Sequence, residues 1–150
     1  CDEATSALDV TVQDSIMELL ARLQKEKGIS FVFICHDLSL VQAFAHQVAV
    51  MYLGNLVEIL PGEQVRNHAQ HPYTQALLEA VFSVQMDFTK EITSIESEAP
   101  IPLHIPTGCP FQTRCRECRE ICKIEKPKMI EVSQGHKVAC HKWKSGKEKC

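Results

Sequence analysis

No run in this chain of 150 residues is apolar for long enough to cross a bilayer. About 18 such residues are needed, and the most apolar stretch, residues 29–35, contains Ser30 and stops at His36. The opening residues hold no basic segment followed by an apolar core and a small-residue cleavage site. Nothing there marks the chain for secretion, and the expected location is the cytosol. Aromatic residues are scarce, 6% of the chain with a single Trp, which leaves little to stack on bases. The Lys-rich end, residues 137–149 around Trp143, therefore reads as a solvated tail, and no nucleic-acid partner is expected. No internal repeat is visible. A composition of 45% hydrophobic and 23% charged residues excludes disorder as the dominant state and fits one globular domain with a small appendage.

What is present is unevenly placed. Of eight cysteines, Cys1 and Cys35 lie far apart, while Cys109, Cys115, Cys118, Cys122, Cys140 and Cys150 crowd the last third. In a reducing compartment such crowding suggests metal before disulfide. Residues 1–106 carry 5 Lys and Arg against 14 Asp and Glu, and residues 107–150 carry 11 against 5. Two regions with different jobs are expected. The chain opens on Cys1 and Asp2 with no strand before them, which reads as a piece of a longer protein.

Hydrophobic spacing supplies the elements. Ile16, Leu19, Leu20 and Leu23 recur at i, i+3, i+4 and i+7, which predicts an amphipathic helix over 11–27. Asp9 or Thr11 can cap its start, and Gly28 behind Lys25 and Lys27 can end it. Residues 29–35 (ISFVFIC) suit a strand buried on both faces, and a helix followed by such a strand points to a parallel sheet. A short helix over 38–45 follows, then strands at 48–53 and 56–60 joined at Gly54-Asn55. Pro72 opens a helix over 72–83. Residues 87–106, with Thr, Ser, Glu and three prolines, read as a linker.

The first nine residues, CDEATSALD, carry the strongest chemical signal. An Asp at a strand end followed at once by Glu is what Mg-nucleotide hydrolysis requires: one carboxylate holds the metal, the other polarises the attacking water. His36 ends the next apolar run, and catalytic groups of open α/β sheets gather at that edge. With DEATSALD followed by ICHDLSLV, the sequence resembles the Walker B end, D-loop and switch histidine of ATP-binding cassette (ABC) ATPases. The resemblance implies an α/β fold, the C-terminal part of a P-loop (RecA-like) ABC ATPase domain. It makes Asp2 the last Walker B residue, facing Mg2+ and ATP, and Glu3 the catalytic carboxylate. Ser6, Ala7, Leu8 and Asp9 become the D-loop, and His36 the γ-phosphate contact. The glycine-rich phosphate loop with its Lys, the Q-loop and the LSGGQ-type signature are not in these 150 residues. Without the backbone N–H groups and Lys that cradle phosphates, the piece alone is expected to be inactive, with exposed apolar surface over residues 1–60.

MYLGNLVE followed by HPYTQALLEAV resembles the region in which the ATPases of oligopeptide, dipeptide and nickel importers depart from the generic cassette; His71-Pro72-Tyr73 heads it. Asn55 stands where a basic residue is frequent, and Ala69 where a proline often precedes the tripeptide. Beyond it, Cys109, Cys115, Cys122 and Cys140, spaced C-x5-C-x6-C-x17-C, resemble the importers' C-terminal extension, whose four cysteines are associated with a [4Fe–4S] cluster. Spacing alone favours zinc on the same thiolates, or thiols that bind nothing. Cys118 falls on one helical face with Cys115 and Cys122 and complicates the ligand count, and Cys150 reads as a free thiol on the tail.

The resulting organisation is 1–63 as cassette, 64–106 as HPY helix and linker, and 107–150 as cysteine-rich extension. The resemblance implies an ATPase subunit peripheral on the cytoplasmic face of the membrane. Its implied partners are transmembrane permease subunits, a second ATPase subunit and, indirectly, an external substrate-binding protein. The rival expectation is a metal-binding or redox module in which the cysteine-rich region is the functional part.

Overall fold

Asp9 sets the first helix. Its backbone is extended (φ −69°, ψ 158°) and its carboxylate accepts from the Val12 N–H at 3.0 Å, so one of the orphan donors at the start of α1 (Val10–Lys27) is satisfied. Gly28 ends the helix in the left-handed region (φ 63°), donating its N–H to Gln24 O at 2.9 Å, behind Lys25 and Lys27 in the last turn. In the computed structural model, residues 1–5, 8–86 and 106–143 are described. The expected linker lies almost wholly outside them, as do Ser6, Ala7 and Cys150. Among the described residues no helix is long and apolar enough to cross a membrane.

By internal contacts the chain forms two compact units, Cys1–Ala45 and His46–Cys150. In the first, α2 (Leu38–Phe44) follows Asp37, whose carboxylate accepts from the Leu40 N–H at 3.3 Å, and Phe44 meets Phe33 edge-on with centroids 6.1 Å apart. The strand expected at 29–35 does not form. It makes a single parallel bridge, Asp2 with Ile34, and Val32 and Ile34 are 78% and 55% exposed. The reason is the lack of strand neighbours: its backbone bonds run to residues 1–3, and an apolar run acquires two buried faces only inside a wider sheet.

The second unit is built on a four-stranded antiparallel sheet in the order β1-β2-β4-β3. In β1 (Gln47–Tyr52), Val48, Val50 and Tyr52 turn inward while the residues between them are exposed, the period of two that a half-buried strand demands. It pairs with β2 (Asn55–Pro61) across a turn formed by Leu53 (φ 45°) and Gly54 (φ 72°), one residue earlier than the Gly54-Asn55 junction expected from sequence. Two positive φ values in succession match the twist of the flanking strands, and Asn55 contributes by donating its side-chain N–H to Leu53 O at 2.8 Å. A register shift beside Val50 leaves consecutive residues of β2, Val57 and Glu58, both buried. The hairpin of β3 (Ile130–Ser133) and β4 (His136–Val138) completes the sheet, so that residues near 60 and near 137 share one ladder.

After a 3-10 turn (Gly62–Gln64) and the short α3 (Val65–His68) comes α4 (Pro72–Met86), which begins where Pro72 predicts it and runs three residues past the expected end. His71 is its N-cap: its carbonyl accepts from the Gln75 N–H at 3.1 Å and its Nδ1 from the Tyr73 N–H at 3.1 Å. Tyr73 then packs with Tyr52 and Phe111, ring centroids 4.6 and 5.3 Å away, which ties the helix start to the cysteine-rich segment.

Glu58 lies fully buried beneath this arrangement. Its carboxyl oxygens accept from the N–H groups of Gln70 (2.6 Å) and His71 (3.2 Å), and lie 2.8 Å from His136 Nε2 on β4. Removing it leaves those buried groups without a partner, so Glu58→Ala should destabilise the second unit by about 3–5 kcal/mol in denaturant unfolding. Retention of wild-type stability would mean that the buried network is incidental. Gly108 is a second weak point, because a Cβ there would lie 2.1 Å from Cys122 O, the atom that accepts from the Cys109 N–H at 2.7 Å. Gly108→Ala should cost about 1–3 kcal/mol, read as a lower thermal midpoint, and should raise amide exchange around Cys109 and Cys122.

Candidate functional site

The first unit brings Asp2, Glu3 and His36 together. Three backbone hydrogen bonds hold residues 1–3 against the 29–35 run: Cys1 N to Val32 O (2.9 Å), Ile34 N to Cys1 O (2.8 Å) and Glu3 N to Ile34 O (2.9 Å). This places the Glu3 carboxylate 3.5 Å from His36 Nδ1, with both side chains more than half exposed. Glu3 adopts φ 45°, a left-handed conformation that costs a non-glycine residue about 1–3 kcal/mol and is concentrated at functional sites. The pairing aims an acid and an imidazole into solvent, where they can act on a bound phosphate or water.

Of the expected D-loop, Asp9 is occupied in capping α1, and Leu8 is exposed with its N–H donated to Thr5 O at 3.2 Å. Ser6 and Ala7 fall outside the described residues. Thr5 is buried, and its Oγ1 lies 3.5 Å from Gln13 Nε2, so the segment is anchored to α1 just before the D-loop. Sequence reading did not single out Thr5; its place between the acidic pair and the helix was the available signal. Cys35, next to His36, has its thiol pushed up, first by burial and then by the nearby Asp37 and Glu3 carboxylates, although a hydrogen bond to Asp37 O opposes the shift.

In the second unit Cys109, Cys115, Cys122 and Cys140 line a single cleft together with His71 and Phe111. α5 (Glu120–Ile124) carries Cys122, and the Cys109 N–H bond to Cys122 O draws the first and third cysteines together. Burial pushes the Cys115 thiol up to about 11, and the nearby Cys140 and Cys109 push the same way. Cys109 and Cys140 are also raised, chiefly by burial and then by neighbouring thiols. Such groups stay protonated in water at pH 7 and lose their protons readily only to a cation placed among them.

Cys118 is not part of the wall. It sits beside Cys122, and its thiol reaches Arg119 O at 3.7 Å. Arg119, Lys142 and Glu117 border the cleft, and Lys142 Nζ lies 2.7 Å from the Glu117 carboxylate, so the charge of that lysine is compensated beside the thiols. Among the described residues no three Cys, His, Asp or Glu side chains close on one point as a site for a metal ion.

His71 was legible in the sequence as the head of a motif but not as a wall of this cleft. It is 1% exposed, and burial lowers its pKa to about 4, so at neutral pH the ring is uncharged. Phe111 faces it with ring centroids 6.0 Å apart. Glu58, which holds the His71 N–H, was not foreseen either; the signal available was a lone acid in an otherwise apolar strand.

Residues 57–122 match the family described as "Oligopeptide/dipeptide transporter, C-terminal region", a span that includes Glu58, the HPY tripeptide and three of the four cleft cysteines. The chain is 41% identical over 150 residues to a putative oligopeptide transport ATP-binding protein, YkfD, of Bacillus subtilis, covering 99% of this chain and 46% of the relative. It is 43% identical over 144 residues to the oligopeptide transport ATP-binding protein OppF of Haemophilus influenzae, covering 95% and 43%. With the dipeptide transport ATP-binding protein DppF of Escherichia coli K12 it shares 44% over 139 residues, covering 93% and 41%. The chain thus spans a little under half the length of the curated relatives it matches. Similarity runs along 93–99% of the chain, so over nearly its whole length it resembles the ATP-binding proteins of oligopeptide and dipeptide ABC transporters.

Proposed function

We propose that the chain is the C-terminal part of the ATP-hydrolysing subunit of an ABC importer of peptides. The observation that carries this is the pairing that sets Glu3 3.5 Å from His36 beside Asp2. With Mg-ATP bound to the whole protein, Asp2 holds the metal through water. Glu3 accepts a proton from the water that attacks the γ-phosphoryl group, and His36 steadies the phosphate. A second ATPase subunit completes the site. Hydrolysis switches membrane-embedded permease subunits, which receive solute from an external binding protein, and the ATPase works on the cytoplasmic face of the membrane. The names of the relatives favour peptides over nickel as the solute. The acidic pair lacks a phosphate-cradling loop in this stretch, so the isolated chain is inactive and the test belongs to the full-length protein. There, Glu3→Gln should reduce ATP turnover by about 10²-fold or more while leaving nucleotide binding intact. Normal turnover would remove Glu3 from the mechanism.

The same reading makes Cys109, Cys115, Cys122 and Cys140 the ligands of a [4Fe–4S] cluster. Four thiols lining one cleft supply the donor set of such a cluster, which several thiolates grip at separate corners, and Arg119 stands at the border. When bound, the cluster acts as a structural staple for a segment with little apolar surface of its own. Protein purified without oxygen should contain about four irons and four acid-labile sulfides per chain, and Cys109→Ser should lose both together with the visible colour. Stoichiometric zinc in colourless protein would replace the cluster by a tetrahedral zinc site.

A further inference from the structure

The HPY tripeptide heads a helix, yet capping alone does not require its histidine. Serine or aspartate would accept the Tyr73 N–H as well or better. Aspartate would place a negative charge beside four thiols, and serine would stop short of the cleft. An imidazole differs from both in having a second nitrogen on the far edge of the ring. In this chain Nδ1 accepts from the Tyr73 N–H at 3.1 Å, so Nδ1 carries no proton and the ring's proton sits on Nε2. The ring is held in place from several directions. Its own backbone N–H is bonded to Glu58 at 3.2 Å, its carbonyl accepts from Gln75, and Phe111 packs against it. His71 is all but inaccessible to solvent and lines the cleft of Cys109, Cys115, Cys122 and Cys140. With Nδ1 turned to the helix, Nε2–H is the ring's remaining hydrogen-bonding group, on a residue that lines the cleft.

We infer that His71 donates its Nε2–H to a thiolate ligand of the group held in the four-cysteine cleft, and so acts as a positioning residue that ties that group to the start of α4. This rests on the cluster reading above. A donor to a ligand sulfur stabilises the more negative, reduced state of a cluster and holds the ligand in place. The route from the cleft into the fold is then short: ligand sulfur, His71, the first turn of α4 and, through the His71 N–H, Glu58 and the sheet.

The test uses the intact protein, purified anaerobically, as wild type and as His71→Ser, a substitution that keeps an N-cap acceptor. The cluster of the variant should have a more negative midpoint potential by EPR-monitored titration. It should also release iron to a chelator about tenfold faster, the scale on which an outer partner of a metal ligand acts, while circular dichroism shows the helices intact. An unchanged potential in a folded, loaded variant would overturn the role of His71 and leave the cluster reading standing. If the variant does not fold, wild-type protein labelled with 15N-histidine decides the matter. Electron–nuclear double resonance of the reduced cluster should reveal one exchangeable proton and one labelled nitrogen coupled to it, and absence of both would overturn the inference. Wild-type protein that takes up no iron and sulfide would remove the cluster reading and this inference together.

Discussion

The second unit depends on a buried carboxyl group. Glu58 sits in the middle of β2, where an apolar residue would ordinarily stand, and it binds three elements that are far apart in sequence: its own strand, His136 on β4, and the two peptide N–H groups ahead of α4. Polar groups placed in such a setting are expensive unless every one of them finds a partner. Here the need to satisfy them fixes where the chain turns before Pro72. An apolar residue at 58 would pack, but it would leave the N–H groups of Gln70 and His71 to find other acceptors. The carboxyl group thus dictates the position of the HPY tripeptide, and the tripeptide dictates the position of the cleft wall.

The aromatic cluster follows from that placement. Once His71 caps α4, Pro72 and Tyr73 take the first two helical positions, and Tyr73 falls against Tyr52 at the end of β1. Phe111, from the cysteine-rich segment, enters between them and approaches Tyr52, Tyr73 and His71 within 5.2 to 6.0 Å of centroid distance. This is the apolar anchor of the extension. Further attachment to the sheet comes from the ladder of β4 on β2, the Ala139 N–H bond to Val57 O, the His136–Glu58 contact and the bond from Lys126 to Asn55.

Elements governed by local rules were legible in the sequence. The 3.6-residue period over Ile16 to Leu23, Asp9 as cap, Gly28 as stop, Pro72 at a helix start and the alternation through Val48, Val50 and Tyr52 all have causes within a few residues of where they act. The failures share the opposite property. Residues 29–35 read as a doubly buried strand because composition reports what a segment prefers, not whether neighbours are present to cover it, and Val32 lies open to solvent. Glu58 and His71 were opaque for a related reason. Their partners lie 13 and 78 residues from Glu58, and no spacing rule announces that a lone acid in an apolar strand will be met by two peptide groups and an imidazole. The four cysteines reach one cleft from loop positions and from α5, so their spacing identified a cluster of thiols without identifying the aromatic ring and buried histidine that line the cleft with them.

The raised pKa values of Cys109, Cys115 and Cys140 carry the argument one step further. Buried thiols that discourage one another from ionising stay protonated, and among the described residues the cleft is held by Phe111, the Cys109 bond to Cys122, the Lys142–Glu117 ion pair and the β4 ladder. A cation entering among them reverses the situation: each thiol it binds loses its proton, each thiolate is compensated at once, and the desolvation that opposed ionisation now strengthens the attraction. Burial therefore acts twice, weakly against the empty cleft and strongly in favour of the filled one. Metal binding and ordering of the extension become one event under the proposed reading, and the link to the rest of the unit runs through the ring of His71.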